Sequence, residues 1–241
     1  MNKIAELKKI IDESNNIVVF TGAGISVPSG ISDFRSSTGL YVEKYDKIYS
    51  PEEILSHHFF LQHPDIFYKF YKDKIVHLDA KPNIAHKYFA RLEKEGKVKA
   101  VVTQNIDGLH QLAGSKNVFE VHGTILKNHC MKCGKFYDVN SIFTGDIPKC
   151  SCGGMIKPDV VLYEEQLDYN DIEQSIKYIS EADTLIIVGT SLVVQPAASF
   201  VSYFKGRNLV VINKSHTSLD NYALTINDDI VNVIKELDED K

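Results

Sequence analysis

Four cysteines, Cys130, Cys133, Cys150 and Cys152, fall within 23 residues, and the chain has no others. Their layout is C-x-x-C, sixteen intervening residues, then C-x-C. Thiolates at such spacing are soft ligands, and two knuckles of this kind close a tetrahedron around zinc with no open position for catalysis. One structural zinc ion is therefore expected; free thiols or a redox pair are the alternatives for the same residues. A second group is Thr21-Gly22-Ala23-Gly24-Ile25-Ser26, directly behind Ile17-Val18-Val19-Phe20. Glycines at a strand end allow a tight turn and close approach of backbone N–H groups to a phosphate. A helix following such a turn would aim its positive end at the phosphate. A third is Thr103-Gln104-Asn105-Ile106-Asp107-Gly108-Leu109-His110. Its two amides and carboxylate offer the donors and acceptors that read a carboxamide, although a polar loop with an Asx cap has the same composition. His122 stands out among nine histidines because it ends the run Val118-Phe119-Glu120-Val121; a lone histidine at such a place is commonly structural.

The elements that must position these groups are legible from apolar spacing. Ile4, Leu7, Ile10 and Ile11 predict a helix over 3–13, and Ala85, Tyr88, Phe89 and Leu92 predict one over 83–95, ended by Gly96. Ser50-Pro51-Glu52-Glu53 is a helix start, giving a helix over 51–61, with another from 64 to about 76. Residues 17–20, 99–103, 118–121, 183–188 and 209–212 read as buried strands, 160–162 as a short one, and 170–180 and 228–237 as helices. Residues 36–50 have no period and read as a long loop of the lid type. Strands alternating with helices imply right-handed crossovers and an α/β doubly wound, parallel, Rossmann-like sheet. The cysteine segment interrupts that order, so it reads as a small insert. The expectation is a single domain over 1–241. Its large part is 1–35, 77–124 and 159–241; its small part is helical 36–76 and the zinc ribbon 125–158.

A chain of 241 residues, 44% apolar, can bury a substantial core. Its net charge of −5 gives no electrostatic footprint for nucleic acid. No run of about 18 apolar residues suggests a membrane span. The amphipathic, charged start MNKIAELKKIIDES is unlike a signal peptide. A cytoplasmic monomer, with neither membrane nor nucleic acid as partner, is the expectation.

The block from Gly22 to Arg35, with Gly22-Ala23-Gly24-Ile25-Ser26 and Gly30-Ile31-Ser32-Asp33-Phe34-Arg35, lacks the third glycine of the dehydrogenase fingerprint, having Val27 there. It resembles the signature of the sirtuins, NAD-dependent protein deacylases. The segments 103–110, Val121-His122-Gly123, 157–165 and 189–196 resemble that family's further motifs in the same order, so the resemblance covers nearly the whole chain. It implies that NAD is held by Gly22, Ala23, Gly24, Ile25, Asp33, Phe34 and Arg35, by Gln104, Asn105, Ile106 and Asp107, by Gly189, Thr190 and Ser191, and by Asn213, Lys214, Asp229 and Ile230. It makes His122 the general base, a task for which histidine as a residue type, with an unperturbed pKa of about 6.5, is suited near neutral pH. An acetyl-lysine peptide would add as a β-strand between Val160, Leu162, Tyr163 and Glu164 on one side and Val193 and Val194 on the other.

The chain departs from the family pattern at Tyr163-Glu164, where Phe-Gly is usual, and at the C-x-C knuckle, where C-x-x-C is usual. The implied reaction is NAD-dependent protein lysine deacetylation, releasing nicotinamide and O-acetyl-ADP-ribose. The competing readings are a protein mono-ADP-ribosyltransferase and a module that binds ADP-ribose without catalysis. Family members that take succinyl or malonyl chains carry Tyr-x-x-Arg; here the stretch gives Tyr68 and Tyr71, so acetyl and other short neutral acyls are expected.

Overall fold

The computed structural model describes residues 2–34, 39–42, 45 and 48–238. Seven of the fifteen residues of the expected lid, 36–50, lie outside them. The centre of the fold is β1 (Ile17–Thr21), buried along its whole length. It lies between β2 (Val98–Thr103) and β7 (Thr184–Val188). With β3 (Val118–Glu120), β8 (Asn208–Ile212) and β9 (Leu224–Ile226) they make a six-stranded sheet of order β3-β2-β1-β7-β8-β9. Every pairing in it is parallel. A strand covered on both faces is apolar along most of its length, which is why Ile17–Phe20 of β1 and Leu185–Val188 of β7 read as unbroken apolar runs.

Side chains alternate between the two faces, and each face has its own core. Ile17, Val19, Ile186 and Val188 join Leu7, Phe89 and Ile234; these come from α1 (Lys3–Glu13), α5 (Ile84–Lys94) and α8 (Ile230–Asp238). Val18, Phe20, Leu185 and Ile187 join Ile179 of α7 (Tyr169–Glu181) and Phe200 of a 3-10 helix, Ala197–Tyr203. Local chemistry sets the helix starts. Asn2 Oδ1 accepts from Ile4 N (2.9 Å) at α1, and Asp168 Oδ1 accepts from Asp171 N (3.1 Å) at α7.

The region expected as one helix over 51–61 is two: α2 (Pro51–Ile54) and α3 (His57–Gln62). The break has a cause at long range. The Leu55 carbonyl accepts from Tyr163 N (2.9 Å) and His57 N donates to the Tyr163 carbonyl (3.0 Å), so the chain opens between the helices to hold a strand segment. Next come α4 (Pro64–Phe70) and a π turn, Tyr71–Ile75. Their aromatic side chains form a separate core with Ile125, Ile142, Val160 and Leu162. The cysteine segment is more ordered than its composition suggests. It contains β4 (Gly123–Cys130), β5 (Phe136–Asp138) and β6 (Ile156–Val160), in an antiparallel sheet of order β5-β4-β6. The short strand expected near 160 thus pairs with β4 and not with the parallel sheet. A short helix α6 (Leu109–Ala113) follows β2. Among the described residues no helix is long and apolar enough to cross a membrane.

Candidate active site

Parallel register sets Thr21 level with both Thr103 and Val188. Gly22, Gln104 and Gly189 therefore emerge together at the carboxyl edge, where the strand order reverses between β1 and β7. In open α/β sheets a ligand crevice opens at that point. A cavity of about 780 Å³ lies there, within the usual range of roughly 300–1,000 Å³ for small-molecule sites.

The glycine turn is built differently from the expectation. Instead of a helix, two 3-10 turns follow, Ala23–Ile25 and Val27–Ser29. The Gly22 and Gly24 amides are already used: Gly22 N donates to the Val188 carbonyl (3.0 Å) and Gly24 N to the Gly189 carbonyl (2.8 Å). The glycines let two loops touch. A Cβ on Gly24 would sit 2.6 Å from Gly189 Cα, and one on Gly189 2.4 Å from Ile25 N. Gly189 also has φ +61°, a backbone that L side chains seldom adopt.

At one end of the cavity a polar chain joins residues far apart in sequence. Asn105 Nδ2 donates to the Gly22 carbonyl (3.2 Å) and to Ser26 Oγ (3.1 Å), and Ser26 Oγ donates to Asp107 Oδ2 (2.6 Å). Asp107 Oδ1 accepts from Leu109 N (2.9 Å). Burial raises the Asp107 pKa, and the Ser26 hydroxyl and Leu109 N–H oppose that rise. Below it, Thr21 Oγ1 donates to Thr103 Oγ1 (2.8 Å) and lies 3.1 Å from His110 Nε2. Burial drives the His110 pKa well down and that of His86, whose ring is 4.9 Å away, to about 4. These two imidazoles are neutral spacers under the site. Ser26 is the polar residue here that motif reading left without a role; its place in Gly24-Ile25-Ser26 was the available signal.

His122 Nδ1 lies 3.0 Å from the Gln104 carbonyl. A carbonyl only accepts, so Nδ1 carries the hydrogen and Nε2 is the proton-accepting nitrogen. The backbone is pinned as well: Val161 N donates to the His122 carbonyl (2.9 Å). Gly123, at φ +77°, would place a Cβ 1.9 Å from the Asp159 carbonyl, so β6 crosses where only glycine fits.

The cavity wall includes residues 22–24, 33–34, 104–107, 189–191, 213–214 and 230, His122, and Val160, Leu162, Tyr163, Glu164 and Val194. The structure does not bring every expected residue to it. Ile25 is fully buried under the turn. Asp229 is held by Lys214 Nζ (2.8 Å) and accepts from Val231 N (2.8 Å), starting α8. Val193 is 60% exposed outside the wall. Arg35 lies outside the described residues. Tyr71, at the position of the Tyr-x-x-Arg arginine, borders the cavity, as do Lys74 and Ile75, which no motif includes. Tyr71 is buried and stacks on Phe67 (5.5 Å, 14°). Tyr68 turns away, its hydroxyl donating to the Ile156 carbonyl, and Lys72 Nζ is taken by the Gly145 and Asp146 carbonyls (2.6 and 3.1 Å). Tyr163, in place of phenylalanine, uses its hydroxyl: it meets the Tyr41 hydroxyl at 2.9 Å.

The four cysteine sulfurs lie within 4.8 Å of one another, with Cys130–Cys152 at 3.5 Å and Cys133–Cys150 at 3.6 Å. Zinc–sulfur bonds of about 2.3 Å in a tetrahedron put sulfurs about 3.8 Å apart, so the set fits zinc despite the shortened second knuckle. Lys132 N and Cys152 N point at the Cys130 and Cys150 sulfurs (3.4 and 3.5 Å), hydrogen bonds that favour thiolates.

The sequence model of the Sir2 family matches residues 22–196. The chain is 57% identical to an NAD-dependent protein deacetylase of Clostridium acetobutylicum, over 98% of each chain. Among solved structures it resembles a Sir2 with p53 peptide and NAD+ (TM-score 0.88, 37% identity, 98% of each chain). It also resembles a Sir2 with deacetylated p53 peptide and 3'-O-acetyl ADP ribose (TM-score 0.89, 38% identity, 98% of each chain).

Proposed function

The chain belongs to the Sir2 family, and on that premise we propose how its residues divide the work of an NAD-dependent protein lysine deacetylase. The enzyme consumes NAD and releases nicotinamide, the free lysine and O-acetyl-ADP-ribose, and it carries one structural zinc ion. NAD supplies an electrophilic ribose carbon once its nicotinamide departs; the rest is the protein's task.

The observation that carries the assignment of roles is the joint arrangement of His122, Asn105 and Asp107 on one cavity wall. Asn105 and Asp107, fixed through Ser26, present amide and carboxyl groups to the nicotinamide carboxamide. Gln104 Nε2, bonded to Thr190 Oγ1 (3.0 Å), sits where the nearer ribose would lie. Ala23, Thr190 and Ser191 serve the phosphates, and Asn213, Lys214 and Ile230 the adenosine. His122 accepts a proton at Nε2 from a ribose hydroxyl, its imidazolium stabilised by the Gln104 carbonyl at Nδ1. Segment 160–164, crossing beside His122, receives the peptide as an added strand, opposite Val194. The division into a large NAD-binding part and a small insert belongs to the same proposal. It is supported by the separate aromatic core, with β6 drawing the zinc part out to Val160. So does a cytoplasmic, monomeric enzyme; for the compartment, four cysteines kept as thiol ligands favour a reducing setting.

The acyl pocket is neutral. Tyr71 fills the place of a carboxylate-binding arginine, Lys72 is turned to backbone carbonyls, and Lys74, which reaches the wall, is paired with Asp73 (3.1 Å). An acetyl-lysine peptide is therefore turned over faster than its succinyl counterpart. Competition kinetics with both peptides checks this, and faster loss of succinyl overturns it.

A further inference from the structure

Residues 162–165 form a turn closed by Glu165 N donating to the Leu162 carbonyl (3.0 Å), and Glu164, its third residue, has φ +76°. Turns of that shape favour glycine at the third position. The glutamate is nevertheless held in one place. Its carboxylate accepts from His58 N (3.1 Å) and meets His58 Nδ1 (2.7 Å) at the start of α3, while half of the side chain stays exposed. Its neighbour Glu165 is compensated, with Lys157 Nζ at 3.0 Å, Leu162 N at 2.9 Å and His57 Nδ1 at 2.8 Å. Among the described residues no lysine or arginine pairs with Glu164. Its ion-pair partner is His58, which is charged only when protonated, so the fold fixes a half-exposed carboxylate on the wall of the peptide cleft.

We propose that Glu164 is a specificity-determining residue that favours acyl-lysine substrates carrying arginine or lysine close to the modified residue. The inference rests on the deacetylase reading and adds a sequence preference to backbone-mediated binding. Reach follows from chain geometry. Val161 N is bonded to the His122 carbonyl, so the reacting lysine lies near Val161, three residues before Glu164. At roughly 3.3 Å per residue, the carboxylate reaches substrate positions within about three residues of the lysine. A half-exposed charge works in a high dielectric, so the preference is several-fold, resides in KM, and shrinks with salt.

The test uses one acetyl-lysine peptide with Arg, Ser or Glu placed in turn at each of the three positions on either side. kcat/KM is measured at about 0.01 M and about 1 M salt, where the Debye length falls from about 30 to about 3 Å. The expected result at low salt is an Arg-to-Glu ratio of about five or more at one or two positions. That ratio is carried by KM and collapses at high salt. Glu164→Gln brings the ratio to within about twofold of unity, and Glu164→Lys reverses it. Because each readout is a ratio between peptides on one enzyme, a general loss of activity in a variant cancels. Should the glutamine variant not fold, Glu164→Gly, the residue type the turn itself favours, replaces it. A wild-type ratio near unity at every position overturns the proposal, as does a ratio that survives high salt or loss of the carboxylate. Failure of the wild type to deacetylate the Ser peptides would instead sink the deacetylase reading.

Discussion

Replacing Gly189 by alanine separates two effects that a glycine at a strand end combines. Gly189 and Gly30 both have left-handed backbones, φ +61° and +87°. A Cβ on Gly30 meets nothing within 4 Å, whereas one on Gly189 lies 2.4 Å from Ile25 N, 2.6 Å from Gly24 C and 2.8 Å from Gly24 Cα. The backbone term is common to both: about 1–2 kcal/mol for an L residue in that region, offset by about 0.4–1 kcal/mol from the stiffer unfolded chain. Only Gly189→Ala adds the steric term, and all three atoms it meets are backbone, which cannot rotate aside. The two loops must part by about 1 Å, which also stretches the Gly24 N to Gly189 carbonyl bond of 2.8 Å. Overpacking of this kind costs about 1–3 kcal/mol. Gly189→Ala should therefore unfold about 2–12 °C below Gly30→Ala, at roughly 2–4 °C per kcal/mol for a chain of this size. The wild type and Gly30→Ala should gain Tm on adding NAD, by mass action, and Gly189→Ala should gain less because the displaced loops wall the cavity. Thermal unfolding with and without NAD measures both. A Gly189→Ala protein within about 1 °C of Gly30→Ala, with a full NAD shift, would refute the loop-contact argument.

Other outcomes follow from buried ionisable groups and from the metal site. Burial pushes the Glu120 carboxyl up to about 7 from 4.5 and His86 down to about 4 from 6.5. The stability from Glu120 is thus full below pH 4.5 and lost as pH rises to 7, while that from His86 is full above pH 6.5 and lost as pH falls to 4. Each spans about 2.5 pH units, on the order of 3 kcal/mol. Between pH 7 and 4.5 Glu120 opposes the loss from two buried histidines, His86 and His110, so Glu120→Gln should steepen the fall in urea-unfolding stability over that range by about 3 kcal/mol relative to the wild type. An unchanged pH profile would contradict it. Cys130→Ser should lower bound zinc from one equivalent to near none and open residues 123–160 to protease, read by elemental analysis and limited digestion; retention of a full equivalent would contradict the four-thiolate site. His122→Ala should abolish deacetylation while zinc content and unfolding midpoint stay near wild type, since the ring's bond to Gln104 is one surface-side contact of a pinned backbone; turnover at the wild-type rate would remove the general-base role.

Much of the scaffold could be read from local spacing because its elements bury periodic apolar faces. The α1, α5 and α7 helices, with β1, β7 and β8, fall within a residue or two of their expected bounds. What local reading missed is set by contacts distant in the chain. The helix over 51–61 splits because Tyr163, about a hundred residues away, bonds to both Leu55 and His57. Gly22 and Gly24 look like phosphate binders in a window of ten residues, yet their amides and missing Cβ atoms are explained by Val188, Gly189 and Thr190. The β4–β6 sheet lacks apolar periodicity because thiols at its end substitute for part of a core. Ser26 needed the fold to bring it to Asp107.

The central claim is that one cavity couples cleavage of NAD to removal of an acetyl group at His122. Nicotinamide release should be followed by chromatography in parallel with the mass of an acetyl-lysine peptide, with and without that peptide. The account predicts release that depends on the peptide, with one acetyl lost per nicotinamide. Release that proceeds equally without peptide, or leaves the acetyl in place while label from NAD appears on protein, would contradict it.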